Sequence, residues 1–325
     1  MTSGPAIARN RDEILKRLRE TPLRTGQLDV NGRCNAKCWY CPVKYEGNPE
    51  EFDVQMSLEE LDHILGNLRA SPLIPKEFWF LYTCHYNEVL LYPQLEELLG
   101  IFRKHRLCTS VLSNGTPLSP KKTDLILANS DVVRGICLNI PALEPEDWSR
   151  KAGFPVALHK GLMRNLDYLH EKGKAHIQVN CDTTANGQLD KSMGATPEQA
   201  QSIQAAFKAR FPNFTVGLNQ RLSDRAGRLE SLGVLARHKP IETRVIGCSH
   251  SGSRIFEWLH ITPKGDLFLC CDDYEMEYRF GNLLQDSFEK IWLSDAHVDA
   301  IARAFSNICT GCWARVDEQV AAIPA

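Results

Sequence analysis

Apolar residues fall along this chain in two alternating rhythms. Short runs rich in β-branched and aromatic side chains occupy residues 28–31, 77–83, 109–112, 132–139, 176–181 and 214–218. Such continuous apolar runs are the mark of parallel strands covered on both faces. Between them lie longer segments with helical spacing of apolar positions, over 57–69, 94–105, 119–128, 157–171 and 196–210. The first of these opens on Ser57 with Glu60 three positions on, a capping box, and the second follows Pro93. Six strand–helix alternations predict right-handed crossovers and an α/β fold, a partial (β/α)6 TIM barrel. In such a barrel the site lies at the C-terminal ends of the strands. A short helix over 13–18 leads in.

After residue 220 the rhythm changes. Residues 221–246 are polar and mixed, 258–262 and 267–270 flank Pro263-Lys264-Gly265-Asp266 as a hairpin, and 287–305 reads as one helix. The expected divisions are an N-terminal extension (1–26), a barrel (27–220), a linker (221–247) and a small C-terminal α+β domain (248–325). No internal repeat or low-complexity segment interrupts them.

Composition narrows the function. With 325 residues, 43% hydrophobic and 24% charged, the chain can bury a sizeable core. Its net charge is −2 and its basic residues are dispersed, so nothing electrostatic argues for a nucleic-acid partner. No apolar run is long enough to span a bilayer, and residues 1–10 lack the apolar core of a secretory signal. The expectation is a cytoplasmic protein with reduced thiols, whose 12 cysteines serve metal or redox chemistry rather than disulfides.

The cysteines cluster. Cys34, Cys38 and Cys41 stand in one loop, Cys34-Asn35-Ala36-Lys37-Cys38-Trp39-Tyr40-Cys41, directly after the first strand. Soft thiolates suit iron–sulfur clusters and zinc. A structural zinc site wants four ligands, so three leave a coordination position open unless a distant residue completes them. Ser113, Asn139 and Asn180 stand at the ends of later strands, where small polar groups can hydrogen-bond a ligand's hydroxyls. A second set, Cys248, Cys270, Cys309 and Cys312, can close a cluster completely, a zinc ribbon being the physical competitor. Of the remaining cysteines, Cys108 and Cys137 read as core, while Cys84 and Cys181, near strand ends, could face a pocket. Cys271 directly follows Cys270 and precedes Asp272 and Asp273.

The C-x3-C-x2-C loop after the first strand, with Tyr40 before its last cysteine, resembles the radical S-adenosylmethionine (SAM) superfamily. That resemblance implies a 4Fe–4S cluster on Cys34, Cys38 and Cys41, whose open iron chelates SAM and cleaves it to a hydrogen-abstracting 5′-deoxyadenosyl radical. It further implies Tyr40 near the adenine and Arg150 at the SAM carboxylate. Tyr86-Asn87-Glu88-Val89 resembles the Gly-Gly-Glu-Pro segment that binds the SAM amino group, with Glu88 matching its glutamate and Asn87 and Val89 departing from it. The G-x4-C element ending at Cys270, with the later Cys309-Thr310-Gly311-Cys312, resembles the twitch and SPASM modules. No cysteine lies between Cys271 and Cys309, so the likeness is to the shorter twitch module with one auxiliary 4Fe–4S cluster.

The overall plan is similar to that of 2-deoxy-scyllo-inosamine dehydrogenase. This implies an oxidoreductase that takes a hydrogen from a carbinol of a sugar or aminocyclitol and passes an electron to the auxiliary cluster. The expected partners are that small molecule or a peptide, and a reductant such as flavodoxin or ferredoxin; neither nucleic acid nor membrane is expected. Radical epimerisation and ribosomal-peptide modification remain open, with Cys271 the candidate catalytic hydrogen donor of an epimerase. A non-enzymatic iron–sulfur or zinc scaffold would not need an open cluster.

Overall fold

The computed structural model describes residues 6–318 except 79, 174–176, 183–189, 191, 220–222, 237–242 and 251–252, and it does not describe the side chains of 6, 177, 180–182 and 218–219. Its strands, in chain order, are β1 (Ala6–Ile7), β2 (Thr25–Leu28), β3 (Leu81–Tyr82), β4 (Thr109–Ser113), β5 (Val133–Asn139) and β6 (Ile177–Asp182). They continue with β7 (Thr215–Asn219), β8 (Val245–Cys248), β9 (Trp258–Ile261), β10 (Asp266–Phe268), β11 (Arg279–Asn282) and β12 (Arg315–Asp317).

Strands β2 to β7 form the barrel wall. β2 and β3 pair in parallel, a parallel bridge from Phe80 to Cys108 carries the wall onward, and β4, β5, β6 and β7 follow in parallel order. Helices Leu58–Ala70, Leu95–Lys104, Pro120–Ala128, His159–Lys172 and Pro197–Arg210 cover it, matching the expected set. The capping box forms: Ser57 accepts from Glu60 N, and Glu60 reaches back to Ser57 N. Leu61, Ile64, Leu65 and Leu68 from that helix meet Leu28, Leu81 and Val111 in a continuous buried core.

Three expectations are corrected. The first strand runs over 25–28 rather than 28–31, because its backbone is fixed by a second neighbour, β9, paired in parallel from Thr25↔Trp258 to Leu28↔Ile261. The hairpin β9–β10, with β11 beyond it, is therefore an extension of the barrel sheet, in the order β11-β10-β9-β2-β3. The N-terminal segment is also more than an extension, since Ala6 pairs with Cys248 in a small antiparallel sheet β1-β8-β12. Finally, the helix expected over 287–305 is two, Phe288–Trp292 and Asp295–Ser306. Ser294 breaks it: its side chain accepts from His297 N and caps the second helix.

Candidate active site

The cysteine loop is held on two flanks. Just ahead of it, Gly32 passes so close to Phe52 that a Cβ would lie 1.5 Å from the Phe52 carbonyl oxygen. Asn31 Nδ2 donates to the Glu88 carbonyl (3.3 Å) and Glu88 N donates to the Arg33 carbonyl (2.8 Å), tying the loop to the segment after β3. On the other flank, Lys37 N and Trp39 N donate to the carbonyls of Ala152 and Lys151 (both 3.0 Å), the end of helix Pro145–Ala152. Within the loop, Cys41 N donates to the Cys38 carbonyl (2.9 Å) and Ala36 N points at Cys34 Sγ (3.5 Å).

Cys34, Cys38 and Cys41 line one cavity of about 400 Å³ with Tyr40, Glu88, Ser113, Asn114 and Asn139. These come from the C-terminal ends of the barrel strands, where a parallel barrel exposes its rim. Glu88 is buried, accepting from Asn114 N (2.8 Å) and Leu90 N (3.1 Å), and burial raises its carboxyl. Asn114 Nδ2 donates to Asn35 Oδ1 (2.8 Å), linking the end of β4 to the cysteine loop. Cys84 and Cys137 stand on the same wall. Cys137 was expected in the core; it shares the inner face of β5 with Asn139, two residues on, while Ile136 and Leu138 turn to the buried side.

Arg150 is not brought to this cavity. Its guanidinium pairs with Asp147 and donates to Ser192 Oγ (3.0 Å) at the surface. Asn180 lies opposite Asn139 in the ladder, and its side chain, like that of Cys181, lies outside the described residues.

The cavity fits the expected group. Burial pushes the Cys34 thiol up to about 12 and raises Cys41, so neither would ionise without a cation to stabilise the thiolate. Asn87 Nδ2 is buried on this wall with no partner among the described residues, a donor that a bound cofactor could satisfy.

The second set is drawn from three segments. Cys248 ends β8, opposite Arg315 of β12, and Ser249 N donates to the Ala314 carbonyl (2.8 Å). Cys312 N donates to the Cys309 carbonyl (3.1 Å), and Ala314 N points at Cys312 Sγ (3.4 Å). Burial raises Cys309, which also feels Cys248 nearby; burial and Asp272 raise Cys312. Cys270 follows β10 and takes an N–H from Asp272 at Sγ (3.4 Å). Both Cys270 and Cys248 feel Asp272 and Arg254.

Cys271 is buried, with Sγ bonded by Arg254 Nη1. The adjoining Cys270 thiol, then the Arg254 guanidinium, hold it well below the usual thiol range. It is not part of the cavity wall. Beneath it, His85 Nε2 donates to the Cys271 carbonyl (2.7 Å), and Nδ1 lies 3.4 Å from Asp29 Oδ2. Burial pulls the His85 pKa down, but the Asp29 carboxylate outweighs it and the net shift is upward.

The sequence reading missed Asn87 as a buried donor, Arg254, and Arg225, which enters the cavity wall from the expected linker. The available signal was the turn composition of Ser223-Asp224-Arg225-Ala226-Gly227, which forecasts a sharp bend without saying what it aims.

Residues 28–185 match the Radical SAM superfamily, and residues 248–313 match SPASM, an iron–sulfur cluster-binding domain. This chain is therefore a radical SAM enzyme with a C-terminal SPASM domain. SAM and 4Fe–4S clusters, an auxiliary one among them, are its cofactors. In fold it is similar to Streptococcus suis SuiB bound to precursor peptide SuiA, at 14% identity over 93% of this chain and 73% of that one, TM-score 0.59. It is also similar to native anSMEcpe with bound AdoMet, at 15% identity over 87% and 84%, TM-score 0.56. BtrN in complex with AdoMet and 2-DOIA matches at 14% identity over 87% of each chain, TM-score 0.51. No curated protein matches the sequence. Among the described residues no helix is long and apolar enough to cross a membrane.

Proposed function

We propose that this enzyme oxidises a carbinol of a small polyol, a sugar or aminocyclitol, to a ketone. The observation that carries the reading is that Cys271 is buried with its Sγ bonded by Arg254, a thiol already engaged by the protein. A thiol that returns hydrogen to an inverted carbon must reach the substrate, and a closed second cysteine set suits an electron acceptor instead. Loss of a hydrogen atom from carbon, a proton from oxygen and one electron leaves the C=O bond. When bound, SAM and its cluster supply the radical that takes the hydrogen atom, and an auxiliary cluster on Cys248, Cys270, Cys309 and Cys312 accepts the electron.

In this reading Cys34, Cys38 and Cys41 hold the open cluster, with Tyr40, Glu88, Ser113 and Asn139 around the bound SAM. Glu88 fixes the rim by holding the Asn114 and Leu90 amides. Epimerisation is the second reading, favoured by Cys84 and Cys137, two thiols on the cavity wall. Anaerobic turnover with carbon-deuterated polyols decides between them. Oxidation delivers deuterium to 5′-deoxyadenosine and yields a ketone. A recovered, inverted polyol carrying one solvent-derived hydrogen at carbon would replace it with epimerisation.

A further inference from the structure

The chain between β7 and β8 contains a strained turn. Arg225, Ala226 and Gly227 take φ of 54°, 53° and 86° in succession. Left-handed backbone is costly for the first two, and such strain persists only where the surroundings impose it. Here they do: Gly311, between Cys309 and Cys312, packs so tightly on the turn that a Cβ would lie 2.8 Å from the Ala226 carbonyl oxygen.

The turn delivers Arg225 to the wall between two cavities, the cysteine-lined one and a second of about 280 Å³ bounded by Asp272, Tyr274 and Asn307. The guanidinium lies over the Tyr86 ring, 5.4 Å from its centroid, and Nη1 lies 3.5 Å from Asp272 Oδ1. The Ser223 hydroxyl donates to the same Oδ1 (3.1 Å). Two groups are left over. Asp272 is 3% exposed, yet among the described residues its Oδ2 has no hydrogen-bond partner, and the buried Nε of Arg225 has none among them either. Buried polar atoms are nearly always satisfied. An orphaned acceptor and an orphaned donor on one ion pair point to a ligand that satisfies both.

We propose that Arg225 and Asp272 are a two-point substrate clamp. Asp272 Oδ2 accepts an N–H or O–H from the ligand, and Arg225 Nε donates to a neighbouring ligand oxygen. The ligand class is a small molecule with vicinal polar groups, a diol or an amino alcohol. The clamp rests on the reading of a small polyol substrate and assigns it specificity-determining residues. It places the ligand between the cysteine loop, whose Cys41 feels the Arg225 charge, and Cys270, two residues before Asp272.

The test is calorimetric titration of the anaerobically reconstituted enzyme with SAM present. The probes are scyllo-inositol, 2-deoxy-scyllo-inosamine and cyclohexanol, which has a single hydroxyl. At least one vicinal probe binds tenfold or more tightly than cyclohexanol, and whichever of the two binds better identifies the group on Asp272. Asp272→Asn and Arg225→Lys, checked for wild-type iron content, each lose at least tenfold in affinity for that probe. Wild-type enzyme that does not discriminate vicinal probes from cyclohexanol overturns the clamp, and this arm stands even if a variant fails to load iron. Iron-replete variants that bind as wild type also overturn it. Tight, clamp-dependent binding without deuterium transfer into 5′-deoxyadenosine would sink the oxidation reading alone; transfer without discrimination would sink the clamp alone.

Discussion

Gly153 has a φ of 74°, and a Cβ there would lie 2.5 Å from the Lys37 carbonyl oxygen inside the cysteine loop. Ala at this position meets both penalties, a left-handed conformation costing about 1–3 kcal/mol and a clash against backbone. Gly153→Ala should lower the melting temperature and the iron content of the reconstituted protein. Full iron with unchanged melting would show that the loop yields freely. A second single-residue effect is acid sensitivity at His297. Burial lowers its pKa to about 3, with Nδ1–H donating to the Trp292 carbonyl (2.8 Å) and Nε2 unpartnered among the described residues. The unfolded chain binds this proton from about pH 6.5 downward while the folded one does not, so stability falls as pH falls through that window. The loss is about 0.8 kcal/mol between pH 8 and 6. Denaturation of wild type and His297→Phe at both pH values measures it as a difference; identical pH dependence would contradict it. Cys271→Ser belongs at this scale too. If its thiol is only a buried partner of Arg254, the variant still makes ketone; loss of inversion with continued SAM consumption would make it a hydrogen donor.

Elements were the most legible level of the sequence. Helices over 57–69 and 196–210 were readable because a capping residue and apolar periodicity agree, and both appear within a residue or two. The two-residue β3 was readable only as part of a longer apolar run over 77–83, because within that run only Leu81 and Tyr82 join the ladder and Phe80 makes an isolated bridge among the described residues. The break at Ser294 was hidden in a pattern apolar on both sides of it, and only the cap bond to His297 N reveals it. Cys309 and Cys312 flank one short turn, and Cys309 feels Cys248 nearby. Cys309→Ala with Cys312→Ala should remove about four irons, one cluster's worth, and cut product formation far more than SAM cleavage. Product formed at the wild-type rate would mean that the auxiliary cluster takes no part in turnover.

For the whole molecule, the cysteine spacings suggested both of the proposed cluster sites, yet the joint between them was not legible. Parallel pairing of β9 with β2 joins residues more than two hundred positions apart, and no local pattern records such a partner. The pairing removes the open edge of β2 and makes one sheet lead into both the first cysteine set, after β2, and Cys270 of the second, after β10. The same long-range closure hid Arg225, since a residue between two patterned regions looks like a linker until its turn is packed against Gly311. The central claim is that Cys34, Cys38 and Cys41 hold the cluster that cleaves SAM. The most direct test replaces all three with Ala, reconstitutes the protein anaerobically, and measures iron together with 5′-deoxyadenosine formed under reduction. Iron should fall from about eight per chain to about four, and 5′-deoxyadenosine formation should disappear. Retained SAM cleavage in that triple variant, or a wild-type protein that binds zinc and no iron, would contradict it.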